Sequence, residues 1–246
     1  MPQFRRLLAP RWIIAHFVVL LIVILFVRLG FWQLDRLDER LLENAVGEAR
    51  ASDDPVDISV LLDAVGGDLE TLEYRRALAT GVFSSEDEVL IRSQVYLGAA
   101  GFHVITPLVG GRGEAILVNR GWVPLGLDRV PVTEASPPSG EVTVEGWVHL
   151  SQEKPPLGPA DPDDGRLTTA SRVDITRIQE QTPTSLAPVY LVSIGERGEE
   201  LPVPVDPPTF DDDGPHLGYA IQWFAFALIG LVGYVFLVRS QLGRSV

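Results

Sequence analysis

Residues 12–32 read WIIAHFVVLLIVILFVRLGFW, and residues 217–238 read LGYAIQWFAFALIGLVGYVFLV. Each run has the length of a transmembrane α-helix, which needs roughly 20 apolar residues to cross a hydrocarbon core of about 30 Å. His16 and Arg28 are the strongly polar members of the first run, and Gln222 is the main polar member of the second. The two runs therefore predict two membrane-spanning helices near the ends of the chain.

The charges of the chain are divided between its ends and its middle. All 33 acidic residues lie between Asp35 and Asp213, whereas both ends carry only arginine. Within this stretch 14 basic residues accompany the 33 acidic ones, which gives a formal charge of −19. Such a charge disfavours nucleic acid and anionic lipid as partners, because both carry phosphate. A basic protein is the more suitable partner.

The arginines predict how the spans are oriented. Arg5, Arg6 and Arg11 precede the first span, and Arg239 and Arg244 follow the second. Lys and Arg are retained on the cytoplasmic side, so both termini are predicted in the cytoplasm and the acidic middle outside it. A cleaved signal peptide is the alternative interpretation of the first run. The absence of a small-x-small cleavage site after it favours a retained anchor.

This topology divides the chain into five segments. They are a cytoplasmic N-terminus (1–11), a first transmembrane helix (12–33), an extracytoplasmic domain with a helical stalk (34–215), a second transmembrane helix (216–238) and a cytoplasmic C-terminus (239–246). Leu34, Leu37, Leu41 and Ala45 recur at helical spacing. The first helix is therefore expected to continue as a stalk to about Arg50.

The middle of the chain has the composition of β structure, with short runs rich in Val, Ile, Leu, Thr and aromatic residues between Gly, Pro and Asp. After a short helix at 57–65, seven strands are predicted at 74–83, 88–95, 102–109, 115–123, 141–150, 166–174 and 189–194. A hairpin is expected at 110–113, and loops at 153–165 and 201–213. The predicted fold class is a membrane protein in which two transmembrane α-helices bracket a mainly-β (α+β) extracytoplasmic domain, a single barrel or sandwich.

The residue types restrict the chemistry. The chain has no cysteine, four histidines and one methionine. It therefore has no thiolate nucleophile, no disulfide and no c-type haem attachment, and it offers few soft ligands for copper. No hydrolase elbow, Walker loop, Rossmann fingerprint or zincin motif occurs in it. The sequence does not indicate an enzyme.

His216 is the candidate ligand. It stands at the start of the second span, and Tyr219 and Trp223 follow it at helical spacing. An imidazole in line with two aromatic rings can hold the edge of a flat, apolar macrocycle such as haem. An interfacial histidine that binds nothing is the alternative. His103 and His149 fall in predicted strands and are expected to be hydrogen-bonded rather than ligands.

Two further features have both a functional and a structural interpretation. Arg120 lies on a predicted strand, where its guanidinium could bind a propionate or a partner carboxylate, or could form a structural ion pair. The second span carries small residues, namely Ala220, Ala225, Ala227, Gly230 and Gly233. They suit close packing, in the simplest case against the first span.

Four stretches follow one another in a specific order. They are residues 29–36 (LGFWQLDR), 101–108 (GFHVITPL), 118–124 (VNRGWVP) and the pattern His216-x-x-Tyr219-Ala220-x-x-Trp223-Phe224. Together they resemble the Surfeit locus protein one family, assembly factors for haem-copper cytochrome oxidase. The chain departs from the family at Asp213-Gly214-Pro215, where asparagines are usual, and at Gln222, where threonine is common.

The resemblance implies a bacterial plasma-membrane protein that helps to place haem a in the catalytic subunit of the oxidase, its partner together with the wider respiratory complex. His216 would ligate the haem iron. Tyr219, Trp223 and Trp32 would form an apolar slot, and Arg36 or Arg120 would hold the propionates. Two other function classes stay open, a permanent accessory subunit without a cofactor and a membrane-anchored enzyme.

Overall fold

The computed structural model describes residues 9–152, 161–162, 164–196, 198 and 200–243. The elements in chain order are α1 (Pro10–Ser52), β1 (Val56–Asp57), α2 (Ile58–Val65), β2 (Arg76–Phe83), β3 (Val89–Tyr96), β4 (Ala99–Val109), β5 (Glu114–Pro124), β6 (Glu141–Leu150), β7 (Thr169–Ala170), α3 (Ile175–Gln179), β8 (Ser185–Ser193) and α4 (His216–Gly243). They form two compact units. The helical unit comprises residues up to Val46 and from Phe210 onward, and the β unit runs from Gly47 to Thr209.

Both apolar runs are helical, as predicted. α1 and α4 are each long and apolar enough to cross a membrane. α1 continues without a break from the apolar run to Ser52, so the predicted helical stalk is confirmed. Of the arginines used to predict orientation, Arg5, Arg6 and Arg244 lie outside the described residues. The fold class predicted from the sequence, two long apolar helices that bracket a mainly-β domain, is confirmed.

The two helices pack against each other along a repeating seam. The less exposed positions of α1 advance by alternating steps of four and three residues, and they include Trp12, His16, Val19, Val23, Phe26, Gly30, Gln33 and Leu37. Those of α4 include His216, Ala220, Trp223, Ala227 and Tyr234. This spacing is that of a two-helix coiled coil. His16 contacts Tyr234 and Gln33 contacts His216, so the helices run antiparallel.

One detail of the predicted helix packing is wrong. Ala220 and Ala227 are buried, as expected, but Gly230 and Gly233 have no neighbouring atom within 4 Å of the point where a Cβ would stand. Gly233 falls between seam positions, whereas Gly230 continues the spacing from Ala227 to Tyr234 but has no atom of α1 close to it.

The β unit is one eight-stranded sheet in the order β1-β2-β6-β8-β5-β4-β3-β7. An additional pairing of β2 with β4 brings five strands, β2, β6, β8, β5 and β4, into a closed ring. Apolar side chains fill both faces of the sheet in separate clusters. The barrel-like arrangement positions β4 and β5 as direct neighbours in its wall.

The local predictions in this unit are largely confirmed. α2 begins after Asp57, whose side chain accepts the Ser59 N–H, and ends at Gly66 in the left-handed conformation. The 110–113 stretch is a hairpin, closed by a 2.8 Å bond from the Gly110 N–H to the Glu114 carbonyl. The predicted loop at 201–213 has no regular element beyond a bridge at Val203. Most of the other predicted loop, residues 153–160 and 163, lies outside the described residues.

The predicted strand at 166–174 is wrong. Only Thr169 and Ala170 pair with a neighbouring strand, and α3, which no pattern predicted, begins at Ile175. Leu167 and Val173 are nevertheless buried in the core. The apolar residues in this stretch are therefore buried in an irregular segment and do not form a strand.

Candidate functional site

Gln33 and His216 meet at one end of the helical seam. Nδ1 of His216 lies 2.9 Å from Oε1 of Gln33. An amide oxygen can only accept, so the neutral imidazole carries its proton on Nδ1 and keeps a lone pair on Nε2. Gln33 is buried and His216 is half-buried. This contact fixes the tautomer and the ring orientation of His216, which is what outer-shell partners do for metal-ligating histidines.

The two helices approach closely just beside this contact. A Cβ at Gly30 would stand 2.6 Å from the ring of Phe224, so the glycine leaves the space that this ring occupies. Ala220 is 1% exposed. Phe31 packs edge-to-face on Phe224 with ring centroids 5.3 Å apart. Small residues on both helices thus allow the short Gln33 and His216 side chains to touch.

The predicted aromatic slot is only partly assembled. Trp223 lies in the seam against Phe26, with ring centroids 5.5 Å apart. Tyr219 and Trp32 are 48% and 52% exposed. Ala220 rather than Tyr219 follows His216 in the seam, because the four-residue step is the one that faces α1. The structure therefore brings His216 and Trp223 onto one seam and leaves Tyr219 on the exposed side of α4.

Arg36 lies on α1 three residues after Gln33 and pairs with Glu39. Its side chain is 51% exposed. Exposed pairs of this kind contribute less than about 1 kcal/mol. The guanidinium can therefore exchange Glu39 for another anion at little cost.

The acidic triplet before α4 is structural. Nδ2 of Asn44 donates to the Asp212 carbonyl at 3.2 Å, and the Asp212 carboxylate accepts the Gly214 N–H at 2.9 Å. Among the described residues there is no group of three or more side chains suited to hold a metal ion. The triplet connects the chain entering α4 to α1 and gives no support to a hard-cation site.

The other two family-like stretches also contact each other. Residues 101–108 and 118–124 pair antiparallel on β4 and β5, with Gly101 opposite Pro124 and His103 opposite Trp122. A Cβ at Gly101 would stand 2.5 Å from the Trp122 indole, so a larger residue has no room. The four stretches therefore form two contacting pairs, 29–36 with 216–224 in the helical unit and 101–108 with 118–124 in the β unit.

Arg120 forms the structural ion pair that the sequence left open as an alternative. It donates to Glu88 Oε2 at 2.9 Å, to Thr106 Oγ1 at 2.9 Å and to the Ala135 carbonyl at 2.7 Å. The Val132 N–H donates to the second Glu88 oxygen at 2.8 Å. Burial lowers the pKa of Arg120, and the Glu88 carboxylate opposes this shift. Three N–H groups of Arg120 are engaged and its side chain is 7% exposed, so this residue is not presented to a propionate.

The remaining histidines are hydrogen-bonded. Nδ1 of His103 lies 3.2 Å from Nδ2 of Asn119, and Oδ1 of Asn119 accepts the Gly121 N–H. The second contact fixes the amide orientation, so Nδ1 of His103 accepts and Nε2 carries the proton. Burial lowers the pKa of His103 to about 4. His149 pairs with Glu73, and His16 contacts Tyr234 at the far end of the helical seam.

Three residues that make these contacts were not identified from the sequence. Gln33 and Gly30 were noted only as parts of a family-like stretch, and Glu88 was one of 33 acids. A signal for Gln33 existed, because it continues the seam of Phe26 and Gly30 by one three-residue step. Nothing in the sequence distinguished Glu88 from the other carboxylates.

Comparison with known proteins identifies the family of the chain. The model of the SURF1 family matches residues 20–228, a range that includes all four stretches. The chain belongs to the SURF1 family. The resemblance inferred from the sequence is thus confirmed, and the family match extends over both helices and the β unit of this SURF1-family protein.

Relatives in bacteria and eukaryotes match this chain over different shares of its length. An "uncharacterized SURF1-like protein" of Mycobacterium tuberculosis is 29% identical over 245 residues, 98% of this chain and 89% of the relative. A "SURF1-like protein" of Monosiga brevicollis is 28% identical over 229 residues, 88% of this chain and 85% of the relative. "Surfeit locus protein 1" of Arabidopsis thaliana is 34% identical over 106 residues, 39% of this chain and 30% of the relative.

Replacement of Arg120 by methionine should strongly destabilise the β unit of this SURF1-family protein. The variant leaves the fully buried Glu88 carboxylate without its cation, which costs about 3–5 kcal/mol. Arg76→Met is the matched control, because the Arg76–Glu145 pair is about one-third exposed and should cost less than about 1 kcal/mol. Urea unfolding of the full chain in detergent, followed by tryptophan fluorescence, measures both. Equal losses would contradict a structural role for Arg120.

Acid should destabilise the β unit partly through His103. Its folded pKa of about 4 lies below the unfolded value of 6.5, so the unfolded chain binds the proton more tightly. The stabilisation is complete above pH 6.5 and is lost as the pH falls through about 4, by about 3 kcal/mol in the limit. The free energy of unfolding should therefore fall less over this window in His103→Gln than in the wild type. Identical pH profiles would show that His103 is not buried in its neutral form.

Proposed function

We propose that this protein is an assembly factor for haem-copper cytochrome oxidase that holds haem a for the maturing catalytic subunit. Its cargo would contact the Gln33–His216 end of the helical seam. The main support for the proposal is the 2.9 Å hydrogen bond between these residues. It connects two of the family-like stretches, and it orients a potential metal ligand, His216. The role requires no catalysis by the protein.

His216 has the properties that an axial haem ligand needs. Gln33 holds the proton on Nδ1, which leaves the Nε2 lone pair for an iron atom, and the half-buried ring is already oriented. The described residues contain no cluster of three metal-ligating side chains. A single protein ligand suits a cargo that must later be released to another protein.

Apolar and cationic groups near His216 suit the rest of the cargo. Trp223 is fixed in the seam, while Tyr219 and Trp32 offer half-exposed rings to an apolar macrocycle. Arg36, with its weak exposed ion pair, is the donor for a propionate. Arg120 is left out of the proposal because Glu88 and its neighbours use its donors.

The helical pair also supports a membrane location. Two antiparallel spans place both chain termini on the same side of a bilayer. Arg11 precedes the first apolar run and Arg239 follows the second. The side of the membrane with these arginines would be the cytoplasm of a bacterium, and the β unit would lie on the other side of the plasma membrane. The strongly acidic β unit would then be presented to the oxidase subunits rather than to the lipid surface.

Replacement of His216 by alanine should abolish the visible spectrum of bound haem a. The purified full chain in detergent is titrated with haem a, and the Soret band of the bound form is recorded. Gln33→Ala should weaken binding about 10- to 100-fold, because the imidazole loses its outer-shell partner.

His16→Ala is the matched control for this titration. His16 is also a hydrogen-bonded histidine of the seam, but it lies at the opposite end, next to Tyr234. Its replacement should leave the spectrum unchanged. A bound spectrum that persists in His216→Ala, or that disappears in His16→Ala alone, would contradict the proposed site.

A further inference from the structure

The β unit contains a pocket that is separate from the residues assigned above to haem. Its volume is about 290 Å³, close to the lower end of the range for small-molecule sites. Its lining comes from five strands, β3, β4, β5, β6 and β8, and from the segments that follow β6, β7 and β8. Ile91, Val173 and Val192 belong both to this lining and to an apolar core cluster. The pocket therefore has an apolar base and a set of polar groups around it.

His103 contributes a hydrogen-bond donor to the pocket. Asn119 donates to its Nδ1, so the proton of the neutral ring is on Nε2. No side-chain or backbone partner for Nε2 is found within the described part of the chain. The N–H of Nε2 is therefore available to a ligand.

Trp147 contributes a second donor. Its side chain lines the pocket and is 8% exposed, and its indole Nε1–H has no hydrogen-bond partner among the described residues. A buried donor without a partner costs about 1–3 kcal/mol. The indole N–H of Trp122 also lacks a partner among the described residues, but Trp122 does not line this pocket, since its ring packs on Gly101. An acceptor atom on a ligand would remove the cost at Trp147.

His149 contributes an acceptor. Its Nδ1 lies 2.9 Å from Oε1 of Glu73, and the other Glu73 oxygen accepts the Leu150 N–H at 2.8 Å. The hydrogen bond to Glu73 sets the tautomer in which His149 donates through Nδ1 and has its lone pair on Nε2. The ring is stacked on Tyr190, with centroids 5.5 Å apart and planes 25° apart. Glu73 and Tyr190 together hold the imidazole in place.

The charges around the pocket favour an uncharged ligand. The lining includes one acidic residue, Asp206, which already has an interaction partner. No lysine or arginine is found among the described residues that line the pocket, so an anion would meet this carboxylate and be desolvated without a counter-ion. A cation would meet the two N–H groups of His103 and Trp147, which repel it. A neutral molecule with both an acceptor and a donor satisfies all three groups.

We propose that this pocket binds a small, uncharged ring compound that carries a carbonyl or similar acceptor together with a hydrogen-bond donor. The acceptor takes the N–H groups of His103 and Trp147, the donor is directed to Nε2 of His149, and the ring lies against the aromatic and apolar lining. Binding here does not require the helical unit to hold haem, because every group involved belongs to the β unit.

Three isosteric probes separate the charge requirement from shape. Benzamide is neutral and has a carbonyl oxygen and an amino group, benzoate has the same outline with a negative charge, and benzamidine has it with a positive charge. The full chain in detergent gives one indole N–H resonance for each of its five tryptophans. The Trp147 resonance is assigned by its absence in Trp147→Phe, and the resonances of the three tryptophans in the helical unit, Trp12, Trp32 and Trp223, serve as the internal reference.

Benzamide should shift the Trp147 resonance in a saturable way and leave those of the helical unit in place. Benzoate and benzamidine should produce no saturable shift. His103→Leu and His149→Phe should each weaken benzamide binding about tenfold through loss of one hydrogen bond, with folding checked by an unchanged far-UV circular dichroism spectrum. Control variant His16→Ala should leave the titration unchanged.

Three outcomes would overturn the proposal. They are no shift of Trp147 up to the solubility limit of benzamide, equal responses to all three probes, and full benzamide affinity in folded His103→Leu and His149→Phe. None of these outcomes bears on haem binding by the helical unit, which is measured by its own spectrum.

Discussion

The close approach of α1 and α4 at Gly30 and Ala220 is the constraint on which the helical unit depends. The Gln33 and His216 side chains meet across the seam next to these small residues. A Cβ at Gly30 would overlap the ring of Phe224. Small residues at this level of the seam are thus the physical condition for an oriented imidazole at the start of α4.

The family-like stretches acquire a common explanation from the contacts they make. In the helical unit two of them meet across the seam, and in the β unit the other two pair along β4 and β5. In both places a glycine permits the contact, Gly30 against Phe224 and Gly101 against Trp122. A buried polar or charged group then fixes the geometry. The four short stretches therefore form two packed contacts, one in the helical unit and one in the β unit.

Features set by neighbours along the chain could be predicted from the sequence, and contacts between distant segments could not. The helical spacing of Leu34, Leu37 and Leu41 gave the stalk correctly, because helix periodicity is a local property. The choice between Tyr219 and Ala220 as the seam residue after His216 depends on where α1 lies, and spacing alone allows both. The partner of Arg120 could not be predicted either, because Glu88 is 32 residues away along the chain and is one of many equivalent acids.

The contact of Gln33 with His216 is tested most directly by a disulfide, because the natural chain has no cysteine to interfere. Gln33→Cys combined with His216→Cys should form an intramolecular disulfide on mild oxidation, which mass spectrometry of the joined peptides detects. Trp32→Cys combined with His216→Cys is the control, since Trp32 is one residue away but on the exposed side of α1. The account predicts efficient cross-linking of the first pair and little of the second. Equal cross-linking of both pairs, or disulfides only between molecules, would contradict it.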